Sequence, residues 1–295
     1  MPTTVLTNST KTKSPFIGIS SSRIKKISTK PFLKWVGGKT QLLEELKKYA
    51  PKDFNRYIEP FVGGGALFFD LAPQKAIIND ANEELMNTYA VLRDSVDELI
   101  DELSGYVYEK DFYYEMRAKD PSKLSKIERA ARTIYLNKTC FNGIYRVNKK
   151  GQFNVPIGRY ANPTICDEER LRTAHLALQD VIIECDNYMN VLLKHAKEGD
   201  FIYIDPPYHP VGKYSDFKRY TKDFFYKEDQ VALRKEILEL KNRGCFVMAS
   251  NSHCDFILDL YKDFDIKVVY AKRFINKNAS GRGNVKEVII LGTHN

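Results

Sequence analysis

From Pro31 onward the chain alternates short β-branched runs with helix-periodic stretches, and this alternation leaves few folds open. Strands that follow one another across intervening helices run parallel and carry those helices on their faces, the mark of an α/β sheet. The pattern predicts strands over 57–59, 76–79, 181–185, 201–204, 245–249, 266–270 and 285–291. Helices are predicted by the apolar spacing of Leu42, Leu43 and Leu46, of Val231, Leu233, Ile237 and Leu240, and of Phe256, Ile257 and Leu260. With 295 residues, 43% of them hydrophobic, the chain can build a full-sized core.

Between about residues 94 and 178 the rhythm breaks into mostly helical sequence, with a hairpin-like passage over 142–154 around the turn Lys149-Lys150-Gly151. This predicts a catalytic domain of residues 31–93 and 179–295 that carries residues 94–178 as an inserted unit suited to substrate recognition. Residues 1–30, rich in Ser, Thr and Lys, read as a flexible basic tail. No stretch approaches the roughly 18 consecutive apolar residues of a membrane span. The expectation is a soluble, cytoplasmic protein with no membrane partner. Cys140, Cys166, Cys185, Cys245 and Cys254 are scattered without zinc-ligand spacing, so buried free thiols and no metal are expected.

Basic charge is segregated along the chain. Residues 1–34 hold seven Lys and Arg, residues 129–160 seven and residues 266–286 six, all without an acid, which leaves −12 for the remainder against a net +8. Such windows suit a surface facing a polyanion such as nucleic acid.

The motif Asp205-Pro206-Pro207-Tyr208 follows the apolar run Phe201-Ile202-Tyr203-Ile204, where an open parallel sheet gathers its ligands. Two prolines fix the backbone and remove amide donors, which frees nearby carbonyls to accept. Asp205 adds a second acceptor, so both protons of an exocyclic amino group can be gripped, while Tyr208 offers a face for a base that has left its duplex.

Further upstream, Glu59-Pro60-Phe61-Val62-Gly63-Gly64-Gly65-Ala66 reads as strand end, glycine turn and helix start, without the spacing of a phosphate loop. Asp80 closes the next strand about twenty residues on, where an acid can hold ribose hydroxyls. Phe32 to Lys39 contains the only tryptophan, Trp35, and a lysine, Lys39, able to meet a cofactor carboxylate. Phe141-Asn142-Gly143-Ile144-Tyr145-Arg146 lies in the middle basic window; arginine can grip guanine and asparagine adenine in a bidentate fashion.

Taken together, these stretches, with Phe153-Asn154-Val155-Pro156 and Gly158-Arg159-Tyr160, resemble the Dam family of DNA adenine methylases, which modify adenine within GATC. The resemblance runs from Pro31 to Leu291 in the family's motif order. It implies a Rossmann-like methyltransferase sheet with an inserted, mainly helical target-recognition domain bearing a β-hairpin. S-adenosylmethionine is the implied methyl donor, double-stranded DNA the substrate, and no metal is needed. By that likeness Trp35, Lys39, Phe61, Gly63, Gly65, Asp80 and Asp205 line the donor site. Lys34, Asn142, Ile144, Arg146, Pro156 and Tyr160 meet DNA, with Phe141 near the displaced base. The extension before Pro31 and His209-Pro210-Val211-Gly212 after Tyr208 depart from the family pattern. Two rival readings are an RNA adenine methyltransferase and a DNA-binding regulator without catalysis, and both a solitary enzyme and a companion to a restriction endonuclease stay open, as does the oligomeric state.

Overall fold

The structure is a computed structural model that describes residues 28–210, 225–272 and 284–292. Most of the expected tail lies outside these residues, as do Val211, Gly212 and the middle of the third basic window. Five strands, β1 (Tyr57–Glu59), β2 (Ala76–Asn79), β3 (Val181–Glu184), β4 (Phe201–Ile204) and β5 (Phe246–Ser252), pair in parallel. Two more, β6 (Asp265–Lys272) and β7 (Asn284–Gly292), pair antiparallel, with β7 inserted beside β5. The order is β3-β2-β1-β4-β5-β7-β6. All seven predicted strands are present. β5 runs on to Ser252 because Ser250, Asn251 and Ser252 pair with Ile289, Val288 and Glu287 of β7, a long-range partnership that masks their poor strand propensity.

β2 and β4 are buried along their whole length, which is why Ala76 to Ile78 and Phe201 to Ile204 carry no polar alternation. Successive side chains still go to opposite faces. Tyr57, Ile78, Phe201 and Tyr203 enter one core, Ile58, Ile77, Ile202 and Ile204 the other. The second core is closed by α8 (Tyr188–His195), α9 (Lys227–Asn242) and α10 (Asp255–Leu260), through Leu192, Leu233, Ile237 and Ile257. The first is covered by α1 (Leu43–Tyr49), α2 (Ala66–Leu71) and α3 (Glu83–Asp94).

Four helices lie between α3 and β3: α4 (Val96–Ser104), α5 (Lys110–Ala118), α6 (Lys126–Thr139) and α7 (Glu168–Leu178). Helix α6 starts with a capping box in which Ser125 and Glu128 satisfy each other's backbone N–H. Its Ala130, Ala131 and Ile134 join the core of the sheet, while Tyr135 and Leu136 join a third cluster with Tyr113, Met116, Cys140, Phe153 and Val155. One helix thus fixes the 141–157 passage relative to the sheet. Within that passage Val147 and Phe153 form a bridge, and Asn148 and Gln152 close the turn with Gly151 at φ +77°.

Two expectations need correction. Only Cys140 and Cys245 are buried; Cys166 and Cys254 are half-buried and Cys185, past the end of edge strand β3, is exposed. The middle basic window is also not wholly free to face a polyanion. Arg129 is paired with Glu83 and Glu84, and Arg132, 4% exposed, donates to the Met116 and Arg117 carbonyls at the end of α5. Among the described residues no helix is long and apolar enough to cross a membrane, and no cluster of metal-ligating side chains occurs.

Candidate active site

The strand order reverses between β1 and β4, and both place their carboxyl ends side by side, the position where open sheets bind ligands. From β4 comes Asp205. Its Oδ2 lies 2.8 Å from Lys39 Nζ, which also donates to the Gly37 carbonyl at 2.6 Å. Its Oδ1 is buried and meets no donor among the described residues. Burial pushes the Asp205 pKa upward, opposed by the adjacent Lys39 charge. Lys39 also sits over the Tyr208 ring, 4.7 Å from its centre.

The Tyr208 hydroxyl has one proton, which it donates to Glu287 Oε2 of β7 at 2.8 Å. Burial raises its pKa well above the phenol value, helped by the neighbouring Asp205 and Glu287 charges. Pro206 is buried and Pro207 exposed. The Pro207 carbonyl accepts from Gln230 Nε2 at 3.0 Å, and Gln230 in turn accepts from Asn251 Nδ2 at 2.9 Å. Asn251 Oδ1 receives the His209 N–H, so α9 and β5 hold the turn from below.

From β1 comes the glycine turn. Gly63 (φ +47°) donates to Asp80 Oδ2 at 3.1 Å, and its carbonyl accepts from Tyr89 at 3.0 Å. Gly65 (φ +67°) caps α2. A side chain on Gly63 would collide with Trp35, because an added Cβ would lie 2.7 Å from the indole Cδ1. Asn79 Nδ2 ties the Pro60 and Asp186 carbonyls together, and burial raises the Asp80 pKa to about 6. Glu59, buried on β1, accepts from Tyr57 at 2.8 Å; desolvation raises its pKa well above the carboxylate range. Phe61 is half-buried against Tyr188 and Phe225.

The 141–160 passage forms a second group. Phe141, Asn142, Arg146 and Pro156 are exposed, Ile144 and Tyr160 half-buried. Asn142 takes φ +55° inside a 3₁₀ turn. Arg146 is aimed by Asn154, which accepts from Nε at 2.7 Å. Phe141 N–H donates to the Pro156 carbonyl, and Lys34 Nζ lies 4.6 Å from the Tyr160 ring centre. The buried Asn137 side chain pairs with both backbone groups of Lys34 and donates to the Gly143 carbonyl, stapling the two groups together.

Glu287, Gln230, Asn251 and Asn137 lie outside every motif singled out in the sequence, and Tyr145 lies inside the Phe141–Arg146 stretch without a role of its own there. The first four lie in helices or strands whose sequence looks merely structural. Glu287 alone had a signal, as the only acid between residues 266 and 291.

The family model of D12 class N6 adenine-specific DNA methyltransferases matches residues 35–275. The chain belongs to this family. It is 44% identical to type II methyltransferase M1.LlaDCHI of Lactococcus lactis subsp. cremoris, over 92% of this chain and 98% of that protein. It is 43% identical to type II methyltransferase M.MjaIII of Methanocaldococcus jannaschii, covering 90% and 99%. The DNA adenine methylase of Escherichia coli K12 is 31% identical over 88% and 94%. This D12 chain is therefore an adenine-specific DNA methyltransferase, and membership implies S-adenosylmethionine as the methyl donor.

Proposed function

We propose that this D12 enzyme methylates N6 of adenine within GATC in double-stranded DNA, acting on a base turned out of the helix. One observation carries the reading: Asp205 has one oxygen neutralised by Lys39 and the other buried with no donor among the described residues. An acceptor held in that state costs about 1–3 kcal/mol, which an incoming amino group relieves. The Pro207 carbonyl is already engaged by Gln230, so the second amino proton goes to the Pro206 carbonyl. Gripped at both protons, the nitrogen presents its lone pair, and the Asp205 carboxylate stabilises the positive charge that develops there. Since Lys39 lies over one face of Tyr208, the base stacks on the other.

The donor fits the glycine cradle. Trp35 and Phe61 supply apolar walls, Gly63 and Gly65 close backbone approach, Asp80 an acceptor for ribose hydroxyls, and Lys39 a cation for a carboxylate. S-adenosylmethionine, when bound, supplies an electrophilic methyl group on a cationic sulfur, and no metal is required. Residues 94–178 form the recognition domain, residues 31–93 and 179–295 the catalytic one, and residues 1–30 a basic tail. Lys34, Phe141, Asn142, Ile144, Arg146, Pro156 and Tyr160 face DNA. The type II relatives support a companion restriction endonuclease as partner.

The test uses methyl transfer to duplexes with and without GATC, and to RNA of the same sequence. Transfer confined to GATC duplexes, lost in a folded Asp205→Ala variant, is the expected result. Near-normal turnover by that variant, or equal modification of RNA, would sink the assignment.

A further inference from the structure

Tyr145 belongs to neither the proposed donor set nor the proposed base-reading set, yet it touches both. Its ring stacks on Trp35, with centres 5.5 Å apart and planes 26° from parallel. Its hydroxyl lies beside the Asn82 side chain. Asn82 in turn donates its backbone N–H to Asp80 Oδ1 at 3.0 Å, while Asp80 Oδ2 holds Gly63. Tyr145 therefore contacts the donor cradle from two sides, the indole and the end of β2.

On its other side Tyr145 meets Phe153 edge-on at 5.7 Å, and its chain neighbours are Ile144 and Arg146. Arg146 is locked to Asn154, the residue after Phe153, by side-chain and backbone hydrogen bonds. One ring thus links the indole to the passage that carries Arg146. Rings packed this closely move together, because interiors of native density leave no slack to absorb the motion.

We propose that Tyr145 is a positioning residue that couples occupancy of the donor pocket to the base-reading passage, so that donor and target site bind cooperatively. The inference rests on the function proposed above, in which Trp35 lines the donor pocket and Arg146 meets DNA. Coupling of this kind is reciprocal: each ligand tightens the other by the same factor.

Trp35 is the only tryptophan, so its emission reports the stack directly. The experiment measures affinity for a GATC duplex with and without S-adenosylhomocysteine, the donor lacking its transferable methyl, and follows Trp35 emission in both titrations. The intact protein should bind the duplex about fivefold or more tightly when the nucleoside is present. Tyr145→Leu should bring that ratio close to one while each separate affinity changes less than about threefold. Tyr145→Phe, which keeps the ring, should retain most of the ratio. If the leucine variant does not fold, Tyr145→Met, close in volume without a ring, carries the same expectation. A wild-type ratio of one, or a ringless variant that keeps the wild-type ratio, overturns the coupling. Unchanged Trp35 emission on adding the nucleoside to the intact protein overturns the donor-pocket assignment itself, and the coupling with it.

Discussion

Replacing Gly63 with alanine separates the two costs that the glycine turn avoids. The first is conformational: at φ +47° an L-residue in the left-handed region loses about 1–2 kcal/mol. The second is steric, since the new Cβ would stand 2.7 Å from Trp35 Cδ1 and 3.0 Å from Nε1, well inside the roughly 3.5–4.0 Å of ordinary carbon contact. Gly63 itself cannot retreat, being held through its N–H by Asp80 and through its carbonyl by Tyr89. The indole must therefore move, giving up a stack on Tyr145 worth about 0.5–1.5 kcal/mol. The combined loss is about 1.5–3.5 kcal/mol, or a Tm lowered by about 3–6 °C in a protein of this size. Gly37→Ala is the internal control, because Gly37 sits at φ +82° with nothing within 4 Å of an added Cβ and should show only the first cost. Thermal unfolding and Trp35 emission are measured on both variants. Equal Tm losses for the two, or wild-type emission from Gly63→Ala, would refute the clash.

Asp80, with its pKa raised to about 6 by burial, holds its proton more tightly folded than unfolded, so it withdraws stability as pH rises from about 4 to 6 and beyond. The withdrawn amount is at most about 3 kcal/mol. Asp80→Asn should therefore gain on the wild type by about 1–3 kcal/mol between pH 4.5 and 7.5 in urea unfolding, and a pH-independent difference would rule this out. Glu287→Gln weakens the charged acceptor of the Tyr208 hydroxyl, a bond of the kind worth about 1.5–3 kcal/mol. It should lower kcat about tenfold with little change in duplex affinity; an unchanged kcat would show that the bond does not position the ring.

The strands and the motif at their ends are legible in the sequence because both depend on local chemistry. Burial on both faces makes Phe201 to Ile204 continuously apolar, and a reactive turn at a strand end needs prolines or glycines that nothing else there would select. Long-range pairing is illegible for the opposite reason. Glu287 lies 82 residues from Asp205 along the chain, and only the insertion of β7 beside β5 brings it to Tyr208. Asn137, inside a helix, reads as an exposed polar position until the backbone of Lys34 is seen against it. Arg129 and Arg132 show the limit of counting charge. The same basic window holds arginines that neutralise acids of α3 or cap α5 and others, such as Arg146, that remain exposed.

That division bears on the reactive carboxylate too. A lone ionised aspartate buried at the end of β4 would shed its charge by taking up a proton, and a neutral acid is a poorer acceptor for an amino group. Lys39 opposes that outcome by neutralising Oδ2, and Gly37 anchors the lysine by accepting a second of its protons. The ion pair consumes one oxygen and leaves the other buried without a partner among the described residues, so the charge is stabilised without closing the acceptor. Had Lys39 bridged both oxygens, the same pair would have locked the site. In the function proposed above, the amino group meets an acceptor that no other donor among the described residues engages, and the interaction gained there is spent at the reacting nitrogen, where it lowers the barrier rather than merely tightening binding.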